Sequence, residues 1–138
     1  MKGLLTFLSL LSLVVSLPAP GSEPVLPKHI TTAFEKYTAA PGSLVPILKG
    51  VTDKASADAA APRLREALVC VYEARSALHD IKRLTNEQSQ IVQERYALRM
   101  RQEWGLLYEQ IARLRKARCY QSREFAQSYQ IMCMLIER

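Results

Sequence analysis

Apolar residues recur at helical spacing along the second half of the chain. Between residues 64 and 81, and again between 92 and 114, they return every three or four positions. This spacing places them on one face of an α-helix, and it does not fit the alternation of a β-strand. The first stripe is Leu64, Ala67, Leu68, Val71, Ala74, Leu78 and Ile81; the second is Val92, Tyr96, Met100, Trp104, Leu107, Ile111 and Leu114. The pattern predicts two long amphipathic helices.

Polar residues predict where these two helices begin. Ser56 is a suitable N-cap for the first helix, and Pro62 should either kink that helix or mark its true start. Thr85 can cap the second helix, and Gln88, three residues later, can complete a capping box. Because the link between the helices is short and their lengths are similar, they are expected to pack as an antiparallel hairpin.

A third apolar stripe predicts a last helix near the C-terminus. Its members are Phe125, Tyr129, Met132, Cys133 and Ile136. The polar stretch 115–124 favours a break near Tyr120–Ser122, with Ser122 as the next helix cap. The alternative is one unbroken helix from Asn86 to the C-terminus. It would be about 80 Å long, and it would need a partner chain to bury its apolar face.

Residues 22–55 read as a proline-containing lead-in. Two short helices are expected, at Ile30–Tyr37 and Leu44–Lys49, separated by a loop at Ala39–Ser43 that contains Pro41 and Gly42. The helical bundle itself is assigned to residues 56–138. The predicted fold class is therefore all-α, an elongated three-helix bundle made of a long antiparallel hairpin and a C-terminal helix, with short N-terminal helices packed on it.

The first 21 residues have the pattern of a cleaved secretory signal peptide. Lys2 supplies a positive start, Leu4–Leu17 is largely apolar, and small residues offer cleavage points after Ser16 or Gly21. The apolar run is shorter than the roughly 20 residues of a membrane span. Export is therefore expected, to the periplasm or the cell exterior, with no transmembrane span after cleavage.

Three cysteines, Cys70, Cys119 and Cys133, are too few for a disulfide scaffold. In the hairpin register, Cys70 and Cys133 differ in height by roughly 13 Å, and Cys119 is expected to lie far from both. A disulfide needs Cα atoms within about 7 Å, so no intramolecular bridge is predicted. Cys70 and Cys133 read as core or near-core thiols, and Cys119 reads as an exposed thiol or a dimer link.

The chain is basic, with a formal net charge of +6 over 138 residues. In an exported protein this charge points away from nucleic acid and towards a protein partner or an anionic component of the envelope. The densest basic run is Arg113, Arg115, Lys116, Arg118 and Arg123. One interpretation is a docking surface; the other is a solvated helix end whose cations complement the helix dipole. A homo-oligomer is also possible, since three apolar stripes can exceed what one small bundle buries.

Candidate catalytic and metal-binding residues are few. The only histidines, His29 and His79, are far apart in sequence, and there is no C-x-x-C or H-x-x-x-H spacing. No glycine-rich phosphate loop or nucleophile signature is present. The sequence therefore predicts no enzyme, no cofactor and no metal. The aromatic stripe Tyr96, Trp104 and Tyr108, with Met100, reads either as core or as a groove for a client chain.

Leu84-Thr85-Asn86-Glu87-Gln88 resembles the L-T-x-x-Q motif of the Spy/CpxP family of small periplasmic helical proteins. In that family the motif opens a helix, and it usually occurs twice, whereas this chain carries it once. The resemblance implies an ATP-independent chaperone or a regulator of envelope stress. Residues 47–64 also resemble a sequence segment of uncharacterised exported bacterial proteins. The principal prediction remains a non-enzymatic accessory or structural protein of the cell envelope, acting by protein–protein interaction.

Overall fold

The computed structural model describes residues 25–137, and four helices account for most of this part of the chain. They are α1 (Lys28–Lys49), α2 (Lys54–His79), α3 (Asn86–Lys116) and α4 (Arg123–Glu137), with one further turn at Arg118–Gln121. The all-α fold class is confirmed. The predicted signal peptide lies outside the described residues. None of the helices within residues 25–137 combines the length and apolarity needed to cross a membrane.

Helix α1 corrects the prediction of two short helices separated by a loop, because it continues through Ala39–Ser43. Pro41 has no N–H, so the Tyr37 carbonyl loses its usual helical donor. The indole Nε1–H of Trp104 donates to this carbonyl at 3.2 Å. A donor from another helix thus replaces the hydrogen bond that proline removes. The second proline, Pro46, frees the carbonyl of Gly42, which lies on the exposed side of α1.

Helix α2 begins slightly earlier than Ser56. Asp53 is its N-cap, and its carboxylate accepts from the Ser56 backbone N–H at 2.7 Å. The Ser56 hydroxyl in turn accepts from the Asp53 backbone N–H at 3.0 Å, which completes a capping box. Ser56 therefore belongs to the first turn. Pro62 lies inside the continuous helix and does not mark its start.

Helix α3 begins as predicted. The Thr85 hydroxyl accepts from the Gln88 backbone N–H at 3.1 Å, and the Gln88 side-chain oxygen accepts from the Thr85 N–H at 3.0 Å. This capping box satisfies two donors that the helix itself cannot. The break near Tyr120–Ser122 is also confirmed, since α3 ends at Lys116 and α4 begins at Arg123.

The predicted α2–α3 hairpin is wrong in its packing. Helix α1 packs against both α2 and α3, while these two helices nowhere approach within 8 Å between described Cα atoms. The reason is that α1 is a full-length helix with a continuous apolar face (Ile30, Ala33, Ala40, Leu44 and Leu48 are all buried). It therefore takes the central place that the sequence-based prediction gave to the hairpin. Within residues 25–137 the bundle has four helices and not three.

Helix α4 packs on α2 and runs in the same direction along it. The Ser122 hydroxyl, immediately before α4, donates to Asp58 near the start of α2 at 2.5 Å, and Leu135 lies beside Tyr72–His79 near the end of α2. The Tyr129 hydroxyl joins α4 to α3 by donating to the Ile111 carbonyl at 2.8 Å. The main core lies among all four helices, and a smaller cluster of Leu26, Ile30 and Tyr96 lies between α1 and α3.

Candidate functional site

The turn between α3 and α4 has an unusual backbone conformation. Arg118, Cys119, Tyr120 and Gln121 are four consecutive residues with positive φ, between 50° and 60°. For a residue other than glycine, this conformation brings Cβ close to the following carbonyl and costs roughly 1–2 kcal/mol. We call Arg118–Gln121 the left-handed turn. Interactions elsewhere in the fold must offset its cost.

Buried contacts at both ends hold the left-handed turn. The Cys119 side chain is buried in the main core. Ser122 is almost fully buried; its hydroxyl donates to Asp58 and accepts from the Phe125 backbone N–H at 3.2 Å. These contacts anchor the turn and the start of α4 to the core and to α2.

Arg113 is half-buried and contacts the C-terminal end of α1. Its guanidinium donates to the Leu48 carbonyl at 2.6 Å and to the Val51 carbonyl at 2.9 Å. It also donates to the Tyr120 hydroxyl at 3.3 Å and to the Gln110 side chain at 2.9 Å. The last carbonyls of a helix lack intrahelical donors. Here the Leu48 carbonyl accepts from the Val51 backbone N–H at 3.1 Å as well as from Arg113, and the Val51 carbonyl accepts from Arg113. The structure thus gives Arg113 a bonding role within the fold, apart from the rest of the predicted basic run.

The remaining four cations of that run are exposed around the left-handed turn. Lys116 ends α3, Arg118 opens the turn, and Arg123 opens α4. Arg115 lies one residue before Lys116, and its side chain is 65% exposed. We call these four residues, Arg115, Lys116, Arg118 and Arg123, the basic surface. Because the turn is anchored at both ends, their backbone positions are fixed relative to one another.

Acidic neighbours only partly neutralise the basic surface. Arg115 pairs with Glu137 at 3.4 Å, and both side chains are mostly exposed, so this ion pair is weak. Asp58 lies near the turn but is bonded to Ser122 and to Lys54, the latter at 2.8 Å. Hydrogen bonds from Lys54 and then Ser122 lower the pKa of Asp58. Lys116, Arg118 and Arg123 form no ion pair with another described residue.

Two of the three cysteines are placed differently from the prediction. Cys70 is exposed on α2, Cys119 is buried, and Cys133 is half-buried; all three are free thiols. Cys133 packs against the main core, as predicted, whereas Cys70 lies on the exposed side of α2 beside Val69 and is not a core thiol. Burial raises the pKa of the Cys119 thiol, and nearby Cys133 raises it further. Cys119 is therefore buried, and not the exposed thiol that the sequence predicted.

The aromatic stripe of α3 divides between core and surface. Tyr96 and Trp104 are buried, and Trp104 stacks on Tyr37 of α1 with ring centroids 4.6 Å apart. Tyr108 is half exposed and, with Met100, Trp104 and Tyr37, lines a shallow groove of about 390 Å³. Burial raises the pKa of Tyr37, Tyr108 raises it further, and Arg75 of α2 acts in the opposite direction. The sequence offered two interpretations of this stripe, core or groove. Tyr96 is core, Tyr108 and Met100 line the groove, and Trp104 belongs to both.

Within residues 25–137, no cluster of three or more His, Cys, Asp or Glu side chains is arranged to hold a metal ion. The left-handed turn had no signal in the sequence, because neither glycine nor asparagine occurs between Ala117 and Ser122. Arg113 likewise looked like its basic neighbours, and only the position of α1 distinguishes it.

Comparisons with protein-family models, curated proteins and solved structures found no match to this chain.

Proposed function

We propose that this is an exported, non-enzymatic accessory protein of the cell envelope that binds an acidic protein partner through its basic surface. The observation that supports this proposal is the set of four exposed cations around the left-handed turn. An anchored turn presents charge with little loss of conformational freedom on binding. Complementary charge at such a surface mainly sets association rate and partner choice.

The backbone strain adds to this argument. A helix-to-helix link is ordinarily made with glycine in the left-handed position, at little cost. Here four residues with side chains adopt that conformation, and two of them, Arg118 and Gln121, are exposed. Strained backbone tends to occur at sites with a function. The exposed side chains of the left-handed turn are therefore the part of the bundle that we expect a partner to contact.

Charge reversal tests the proposed surface. In the envelope of the producing cell, a photo-crosslinking amino acid at Gln121 should give a defined protein adduct. Changing Arg115, Lys116, Arg118 and Arg123 together to Glu should remove this adduct, while Arg113 stays unchanged to preserve α1. The matched control reverses four exposed cations elsewhere: Arg63, Arg65, Lys82 and Arg83.

The control variant should keep the adduct. Survival of the adduct after reversal of the basic surface would rule out that surface as the docking site. An adduct with a lipid or a polysaccharide, in place of a protein, would change the partner to an anionic envelope component.

Export has its own test. The intact mass of the protein recovered outside the cytosol should correspond to cleavage after Ser16 or Gly21. Recovery only at full-length mass would contradict the signal-peptide interpretation, and with it the proposed location. This measurement is independent of the crosslinking result.

A Spy/CpxP-like chaperone is the second candidate. It is favoured by the Thr85–Gln88 capping box, which opens α3 as the resembling motif opens a helix in that family. A chaperone should suppress the aggregation of two unrelated denatured proteins without ATP at near-stoichiometric ratios. Suppression that persists after charge reversal of the basic surface would favour this candidate. No suppression of either client would exclude it.

A further inference from the structure

A second surface, separate from the basic surface, lies between α2 and α4. The two helices leave a groove of about 350 Å³ along their later turns, lined by Tyr72, Arg75, Ser76, His79, Ile131, Met134 and Leu135. Asp58 lies near the start of α2, beside the left-handed turn, and is 14 residues before Tyr72, or about 20 Å along the helix. We call this surface the α2–α4 groove.

Large apolar side chains at the groove are exposed to solvent. Tyr72, Ile131 and Met134 line it and are between 48% and 60% exposed, and Val69 one turn earlier on α2 is 56% exposed. Single exposed apolar residues are ordinary, but several together around a concavity are typical of a binding site. Methionine and tyrosine suit such a site because they adapt to, or anchor, a partner side chain.

The polar residues of the groove are all hydrogen-bond donors, and none is acidic. Arg75, Ser76 and His79 form its polar edge, while the neighbouring acids Glu73 and Asp80 do not line it. Arg75 forms no ion pair within residues 25–137. An occupant that combines apolar side chains with a carboxylate would therefore complement both parts of the groove.

The shape favours a helical occupant. From Val69 to His79 the surface extends over ten residues of α2, or about 15 Å. Open grooves between two helices commonly receive the apolar face of a third. We propose that the α2–α4 groove docks an amphipathic helix of a partner protein, about three turns long. Its apolar side chains lie in the groove, and an Asp or Glu side chain bonds to Arg75 and His79.

A second copy of the chain fits this groove less well. In a symmetric dimer both copies contribute the same groove, so neither copy offers a groove acid to the Arg75 of the other. A small apolar ligand would leave Val69 outside the cavity uncovered. Charge and length together therefore favour a partner helix over both of these occupants.

The test uses two labelled helical peptides of about 14 residues, with the same Leu positions at i, i+3, i+4 and i+7. One carries Glu beside the Leu face and the other carries Lys. Fluorescence anisotropy with the purified protein should show the acidic peptide binding about tenfold more tightly than the basic one. Arg75→Gln should remove most of that preference, and Met134→Glu should abolish binding of both peptides.

Leu98→Glu is the matched control, since Leu98 is exposed on α3 and does not line the groove. It should leave peptide binding unchanged, and circular dichroism should show all variants helical. Equal binding of the two peptides, or equal weakening by Leu98→Glu and Met134→Glu, would overturn the proposal. So would a dimer seen by sedimentation that Met134→Glu dissociates. A protein with its basic surface reversed should still bind the acidic peptide, so this proposal and the proposed function fail independently.

Discussion

Arg113 shows how one side chain can belong to a charged run in sequence and still bond to another helix in the structure. Its guanidinium donates to the Val51 carbonyl and is a second donor to the Leu48 carbonyl, which also accepts from the Val51 backbone N–H at 3.1 Å. A charged donor to a buried carbonyl is worth more than an exposed ion pair, because removing it leaves the acceptor desolvated. Arg115, two residues away, makes only an exposed contact.

Arg113→Met should lower the free energy of unfolding by about 2 kcal/mol, because the substitution keeps the aliphatic stem and removes the donors. Urea unfolding followed by circular dichroism measures this change. Arg115→Met is the control and should leave the unfolding midpoint unchanged. Equal effects of the two substitutions would mean that Arg113 does not hold the end of α1.

Cys70 and Cys119 should differ sharply in reactivity. Cys70 is exposed, whereas Cys119 is buried and its pKa is raised, chiefly by that burial. Since the thiolate is the reactive form, we expect Cys70 to react with a disulfide reagent at least about a hundredfold faster than Cys119 at neutral pH. Variants that each retain a single cysteine give the two rates. Faster reaction at Cys119 would contradict the burial of its side chain.

At the scale of elements, α1 shows why the sequence predicted two short helices where the structure has one continuous helix. Pro41 and Gly42 predict a break by local rules, and these rules hold when the freed carbonyl has no other donor. The donor comes from Trp104, which is 67 residues from Tyr37 in sequence. No local sequence pattern predicts a contact between residues so far apart in the chain. By contrast, the starts of α2 and α3 depend on residues within one turn of each other, and the sequence predicted them to within a few residues.

A double-mutant cycle tests the link between Pro41 and Trp104. Trp104→Phe removes the indole donor and should cost several kcal/mol in the native background, partly from the smaller ring and partly from the lost hydrogen bond. In a Pro41→Ala background, the backbone N–H restored at this position can bond to the Tyr37 carbonyl. The cost of Trp104→Phe should then fall by about 1 kcal/mol. Strict additivity of the two changes would contradict this account.

In the left-handed turn we expect a substitution to stabilise the folded protein. Gln121 is exposed and has a φ of 60°, so Gln121→Gly should raise the free energy of unfolding by about 1 kcal/mol, less the entropy that glycine gains in the unfolded chain. The control is Gln127→Gly, at an exposed position inside α4, which should destabilise by about 1 kcal/mol. Thermal unfolding of the two variants should therefore shift in opposite directions. A loss of stability in both would show that the turn is not strained at Gln121.

At the scale of the whole molecule, Asp58 joins the beginning of α2 to the beginning of α4. Its pKa is lowered by Lys54 first and Ser122 second, below the ordinary value of 3.8. A carboxylate with a lowered pKa stabilises the fold fully above its unfolded pKa, and that contribution is lost as the pH falls through the folded value. Stability should therefore decline below about pH 4.

Asp58→Asn should flatten this decline, because asparagine does not titrate. Unfolding measured in urea at a series of pH values gives the slope directly. Asp80→Asn serves as the control, because it removes an exposed acid at the other end of α2 and leaves the Asp58 contacts in place. The remaining slope in Asp58→Asn should come partly from Asp53, whose pKa is lowered by its hydrogen bonds with Ser56.

The whole-molecule arrangement was only partly predictable. Apolar spacing along residues 64–81 and 92–114 predicts the helices and the all-α class, because each stripe needs only its own periodicity. Which helices face one another depends on every stripe at once. Misreading α1 as two short pieces therefore changed the neighbours of α2 and α3. The basic run could be predicted from the sequence, because its cations lie close together along the chain. The α2–α4 groove could not be predicted, because it depends on which two helices pack together.

The central position of α1 has a consequence for the order in which the fold assembles. Helices α1 and α2 are adjacent in sequence and can pair early, whereas α3 must return across the whole of α2 to reach α1. Contacts between distant residues slow folding, because the closure entropy is lost before the contacts form. We therefore expect a transient α1–α2 intermediate with one apolar side uncovered. Synthesis from the N-terminus would lengthen this interval, during which the unfinished chain is most exposed to proteases and to other unfinished chains.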